Sequence, residues 1–131
     1  MNIGHCSTSD IAARLAGPGL CVSFGAFNTR IRSGFSSLAP LLQRLYDGYP
    51  LVPTKGIHDF DVQVRPSSRL RPGRRQARFV VDGRVPFWPL PAAHALPALE
   101  WGINWCIATR SHHYLMLHSA VVERGGNAIL F

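Results

Sequence analysis

Lysine is almost missing from this chain, and acids are few: of 14 basic residues only Lys55 is not arginine, and seven Asp and Glu leave a net charge of +7. A balance of that sign ordinarily points to an anionic partner, whether nucleic acid, phosphate or an acidic protein surface. Here the arginines accompany abundant alanine, glycine and proline, the signature of a GC-rich bacterial coding sequence, so the charge alone assigns no partner. Cysteine is scarce. Cys6, Cys21 and Cys106 are odd in number and hold no Cys-x-x-Cys pair, which excludes a disulfide framework and a zinc site of known spacing. His112 and His113 with Cys106, His94 or His58 give no ligand spacing either, so no metal is expected. The start, Met1-Asn2-Ile3-Gly4-His5, has neither the basic nor the apolar part of a secretory signal, and a cytoplasmic location is expected. The longest apolar stretch, Leu96 to Ala108, is broken by Pro97, Glu100, Gly102 and Asn104 and falls short of the ~20 residues a membrane span needs. No Gly-x-x-x-x-Gly-Lys-Ser/Thr loop occurs, so no nucleotide cofactor is expected in this chain itself.

What is present suffices for one domain: 131 residues, 47% of them hydrophobic. Ser9 to Leu15 reads as a short helix broken by Gly17-Pro18-Gly19. Leu20 to Arg32 alternates as one long or two short strands, with Cys21, Ser23, Gly25 and Phe27 on one face and Val22, Phe24 and Ala26 on the other. Ser36 or Ser37 caps a helix that tolerates Pro40 in its first turn and places Leu38, Leu41, Leu42 and Leu45 along one stripe, with Gly48 and Pro50 as the stop. Ile57 to Val64 alternates as a half-buried strand. Asp82-Gly83 between Arg78-Val81 and Val85-Phe87 predicts a two-residue hairpin. Pro97 to Thr109 reads as a helix apolar nearly all round, hence buried. The fold class expected is α+β, a mostly antiparallel sheet with two main helices.

The segment Leu117 to Phe131 predicts a further β-hairpin, two apolar runs about Gly125-Gly126. A bare Ile129-Leu130-Phe131 is an aggregation hazard, so the expectation is a chain cut in mid-strand with more to follow.

Candidate site residues are modest. The run Arg65, Arg69, Arg71, Arg74, Arg75, Arg78 has no acid between Asp61 and Asp82 and would suit phosphate or an acidic partner, or else a solvated connector. No aromatic interleaves it, which makes nucleic acid the weaker partner. Trp101 and Trp105, at helical spacing, read as core or interface. Glu100 in an apolar helix would pair with Arg110 or cap a buried network. Asp59 and Asp61 share a strand face and read as solvated. His118 lies among apolar residues and reads either as a hydrogen-bonded core histidine or as catalytic.

Several stretches resemble the N-terminal half of the HprK-related kinase A family, bacterial relatives of HPr kinase/phosphorylase: Gly17-Pro18-Gly19-Leu20, Tyr46 with Gly48-Tyr49-Pro50-Leu51, Asp59 to Val64, Phe87-Trp88-Pro89-Leu90-Pro91, Leu99-Glu100-Trp101-Gly102-Ile103-Asn104-Trp105-Cys106 and Leu117 to Arg124. The resemblance covers essentially the whole chain. It implies that residues 1–110 are the family's N-terminal region and that residues 111–131 form the first strands of a P-loop kinase-like core, stopping just before the Walker A loop. It further implies ATP and Mg²⁺ for the full-length protein, an ATP-dependent serine kinase-like activity absent from this part alone, and His118 near the nucleotide phosphates, with Ser119 where HPr kinase has glycine. A PqqD-like peptide chaperone, a peptide or protein substrate, or a second copy of the chain would be the partner. The alternative is a free-standing module that uses Arg69, Arg71, Arg74 and Arg75 to hold an acidic or phosphorylated partner.

Overall fold

The computed structural model describes residues 1–67, 75–117 and 119–131. In the first helix, α1 (Thr8–Ala16), the cap is Ser7, two residues earlier than the sequence indicated: its Oγ accepts the Asp10 amide at 3.1 Å. Gly17 closes the helix by donating to the carbonyls of Ala13 and Arg14, and Gly19, at φ +104°, turns the chain into the sheet. The alternating segment that follows is two strands, β1 (Leu20–Phe24) and β2 (Phe27–Ser33), an antiparallel hairpin. α2 (Leu38–Leu45) then carries the chain over the sheet, so that β3 (Phe60–Pro66) lies parallel to β2, with Ile31 opposite Val62. β4 (Gln76–Val81) returns antiparallel to β3.

The fold is α+β, as expected. The five-stranded sheet is mixed but mostly antiparallel: the α2 crossover makes the β2–β3 pairing parallel, and the other three pairings are antiparallel. The described residues hold three α-helices, of which α1 corresponds to the short helix expected at Ser9 to Leu15 and buries Ile11 and Leu15 in the core. Asp82 and Gly83 do form the expected turn, both at positive φ, with Val81 and Arg84 exchanging backbone hydrogen bonds at 2.9 Å. The second strand expected at Val85 to Phe87 does not form. Pro86 has no N–H for a ladder, and β4 pairs instead with the two-residue β5 (Leu90–Pro91), giving the order β1-β2-β3-β4-β5.

All three helices lie on one face of this sheet. Ile11 and Leu15 from α1, Leu38 and Leu42 from α2, and Leu99, Ile103 and Cys106 from α3 (Ala95–Arg110) pack on Leu20, Val22, Ile31, Phe60, Val62, Val64 and Phe79. Every second residue of β2, β3 and β4 thus enters one core. The outer edge of β1 is covered by the segment after α2, where Pro50 accepts the Ser23 amide and Val52 donates to Cys21.

α3 is less buried than its composition indicated. Gly102 lets the helix settle on β4 so closely that a Cβ there would lie 2.2 Å from the Phe79 ring. The opposite side is uncovered, with Trp101 55% and Trp105 36% exposed. After α3 the chain reaches β6 (Val121–Arg124) and β7 (Asn127–Leu130), an antiparallel hairpin turned at Gly125-Gly126, in which every residue is exposed.

Candidate functional site

Of the residues singled out in the sequence, His118, Arg69, Arg71 and Arg74 lie outside the described residues. Arg75 is exposed just before β4; its carbonyl accepts the Ala92 amide at 2.9 Å, and its guanidinium makes no ion pair among the described residues.

The best-built polar constellation is on the face of the sheet away from the helices. Residues paired across strands share a face, so Cys21, Arg30 and Asp61 stand in one row, Arg32, Gln63 and Val80 in the next, and Arg65 and Arg78 beyond them. Asp61 is not the simply solvated acid expected. It takes hydrogen bonds from Arg30 Nε at 3.0 Å and Nη2 at 2.6 Å, and from Arg32 Nη2 at 2.9 and 3.0 Å on its two oxygens. Partial burial pushes its carboxyl up, but the hydrogen bonds and charges of Arg32 and Arg30 outweigh this and hold it below the usual carboxylate range. Asp59, its neighbour on that face, accepts the Asn28 amide at 2.7 Å instead. Arg30 and Arg32 were not singled out, although alternation in Thr29-Arg30-Ile31-Arg32 already put both on one side of a strand.

Two aromatic groups flank α3. At its first half, Tyr46 meets Phe24 and Tyr49, at 5.9 and 5.1 Å between centroids, and donates from its hydroxyl to Glu100 at 2.7 Å. The partner expected for Glu100, Arg110, is engaged elsewhere: it lies 2.5 Å from Asp82 and over the Phe60 ring. On the outer side of α3, Phe87 stacks on Trp101 with centroids 4.9 Å apart and planes 9° from parallel, and meets Trp105 edge-on at 5.3 Å. Trp88 beside them is 92% exposed. This is interface-like surface, not core.

Burial raises the Cys21 thiol and pushes Cys106 up to about 11, so both stay protonated near neutral pH and lack the thiolate a nucleophile needs. Among the described residues no three His, Cys, Asp or Glu are gathered as metal ligands, and no helix is long and apolar enough to cross a membrane. Comparison with protein-family models, with curated proteins and with solved structures finds no match for this chain.

Proposed function

We propose that this chain is the N-terminal portion of an HprK-related, ATP-dependent kinase-like protein, a framing unit that meets the nucleotide-binding core and its substrate or a neighbouring subunit, without phosphotransfer activity of its own. The observation that carries this reading is the β6–β7 hairpin. Val121 and Leu130 pair on one side and Val122 and Ile129 on the other, so each face carries an apolar pair, with Glu123–Ala128 and Arg124–Asn127 nearer the turn, and all four apolar residues are more than half exposed. Apolar residues on both faces of a strand suit a sheet covered from both sides, as the central strands of a P-loop core are. A two-stranded hairpin alone is marginal in water. The stacked Phe87-Trp101 pair supplies a second apolar surface for the same assembly.

On this reading ATP and Mg²⁺ belong to residues following Phe131, His118 sits near the phosphates, and a PqqD-like peptide chaperone or peptide substrate is the partner in the cell. The test is to read the gene in its native genome beyond the Phe131 codon and to compare the translated length with the intact mass of the cellular protein. A Gly-rich loop ending in Gly-Lys-Ser/Thr immediately downstream, with a mass to match, is the expected result. A stop codon there with no such motif in any frame overturns the reading.

A further inference from the structure

The chain has seven carboxylates, and the structure accounts for each of them. Asp10 contacts Ser7, Asp47 and Glu123 accept the backbone amides of Gly48 and Gly126, Asp59 accepts that of Asn28, Asp61 joins Arg30 and Arg32, Asp82 meets Arg110, and Glu100 meets Tyr46. None is within ion-pair reach of Arg65 or Arg78. Yet these two arginines are direct cross-strand partners on the open sheet face, both exposed. Like charges directly opposite each other destabilise a sheet.

Two other arginines on this face show what such a pair lacks. Between Arg30 and Arg32, two residues apart on β2, lies a carboxylate held by four hydrogen bonds. Toward Arg65, at the end of β2, a cleft of about 290 Å³ lies between the sheet and the end of α1, bordered by Leu15, Gly17, Arg32, Ser33, Gln63 and Arg65. Arg32 Nε is buried without a hydrogen-bond partner among the described residues, a donor beside the cleft.

We propose that this open sheet face is a docking surface for an acidic polypeptide segment, with an Asp or Glu carboxylate seated between Arg65 and Arg78 as Asp61 is seated between Arg30 and Arg32. The guanidinium fork matches a carboxylate with two parallel hydrogen bonds, which gives geometry as well as charge. A polypeptide fits better than nucleic acid because, among the described residues, this face of β1 to β4 has no aromatic side chain on which a base would stack. The assignment does not rest on the kinase-like reading, and it places an acidic-partner contact on the strands, whereas Arg69, Arg71 and Arg74 lie outside the described residues.

The test is fluorescence anisotropy of a labelled poly-glutamate peptide titrated with the full chain at physiological salt. Saturable binding is expected, weakened about tenfold or more in R65Q/R78Q and no more than about twofold in R44Q/R84Q, which removes the same charge from exposed positions off this face. R65K/R78K, which keeps the charge and loses the fork, falls between them. Both glutamine variants fold, because the positions are exposed, and circular dichroism checks this. Absence of saturable binding, equal losses in the two glutamine variants, or tighter binding of a single-stranded oligonucleotide of matched charge would each overturn the proposal.

Discussion

The Tyr46 hydroxyl, just after α2, donates a 2.7 Å hydrogen bond to Glu100 in α3, joining two helices whose residues are 54 positions apart. Burial, and then this bond to the carboxylate, raise the Tyr46 pKa well above its ordinary value of 10. A raised folded pKa means that the stabilisation is full below the unfolded value and is lost as pH rises beyond it. Tyr46→Phe is expected to lower stability by about 1.5–3 kcal/mol near neutrality, the range for a hydrogen bond to a charged group. Urea denaturation followed from pH 8 to above the ordinary tyrosine value of 10 checks the sign: the wild-type protein loses stability over the upper part of that span, and the variant loses less.

Asp61 gives the opposite pH dependence. Its folded pKa is depressed below the ordinary 3.8, so its contribution is present above that value and lost as pH falls through it. Asp61→Asn leaves Arg30 and Arg32 close together without their shared acid. The side chains of Arg30 and Arg32 are about one-third exposed (34% and 38%), so solvent screens the repulsion, and a loss of about 1–2 kcal/mol is expected at pH 7. The difference in urea midpoint between wild type and variant should shrink from pH 7 to pH 3.

Gly102→Ala tests the contact between α3 and β4. In an isolated helix alanine is the better residue by about 1 kcal/mol. Here its Cβ would lie 2.2 Å from the Phe79 ring, and overpacking of this kind costs about 1–3 kcal/mol. A lower melting temperature is expected, recovered in part by Phe79→Leu in the same chain. The recovery is measured as the coupling energy of a double-mutant cycle.

Thr29 offers a stabilising change. It is fully buried opposite Phe60, and its hydroxyl has no hydrogen-bond partner among the described residues. Thr29→Val keeps the branched shape and removes the buried unsatisfied group, so a gain of about 1 kcal/mol is expected in the same urea assay.

How far the sequence specified this fold depends on how local each signal is. The Asp82-Gly83 turn and the Gly125-Gly126 hairpin are set by positive-φ residues within a few positions, and both were legible. α2 was legible in place, but Ser37 makes no side-chain cap bond, and of the expected leucine stripe Leu38 and Leu42 are buried while Leu41 and Leu45 are exposed. The parallel β2–β3 pair was not legible, because alternation is the same in parallel and antiparallel strands; the strand-helix-strand order around Leu38–Leu45 was the available signal. β5 was missed because two residues carry no period. The α3 composition misled in the other direction: Trp101 and Trp105 are apolar enough for a core, yet Gly102, Leu99 and Cys106 face the sheet and leave the tryptophans outside. The Arg30-Asp61-Arg32 cluster was half legible, since alternation placed each residue on the right face, but the register that brings Arg30 opposite Asp61 is a tertiary fact.

The hairpin provides the last prediction. Val121, Val122, Ile129 and Leu130 are exposed on a two-stranded ladder with two open edges, an arrangement that invites pairing with another copy. The isolated chain should therefore self-associate as its concentration rises. A Val122→Lys, Ile129→Thr variant puts a charge and a hydroxyl on the same side of the hairpin, the side where these two residues pair, without touching the core of Phe60, Val62 and Leu99. Light scattering should report a smaller mean mass for this variant across the concentration range, while its melting temperature at low concentration stays close to that of the wild type. Association through the α3 surface predicts another pattern, in which Trp101→Gln lowers the mass and the hairpin variant does not. The two substitutions therefore show which apolar surface drives assembly.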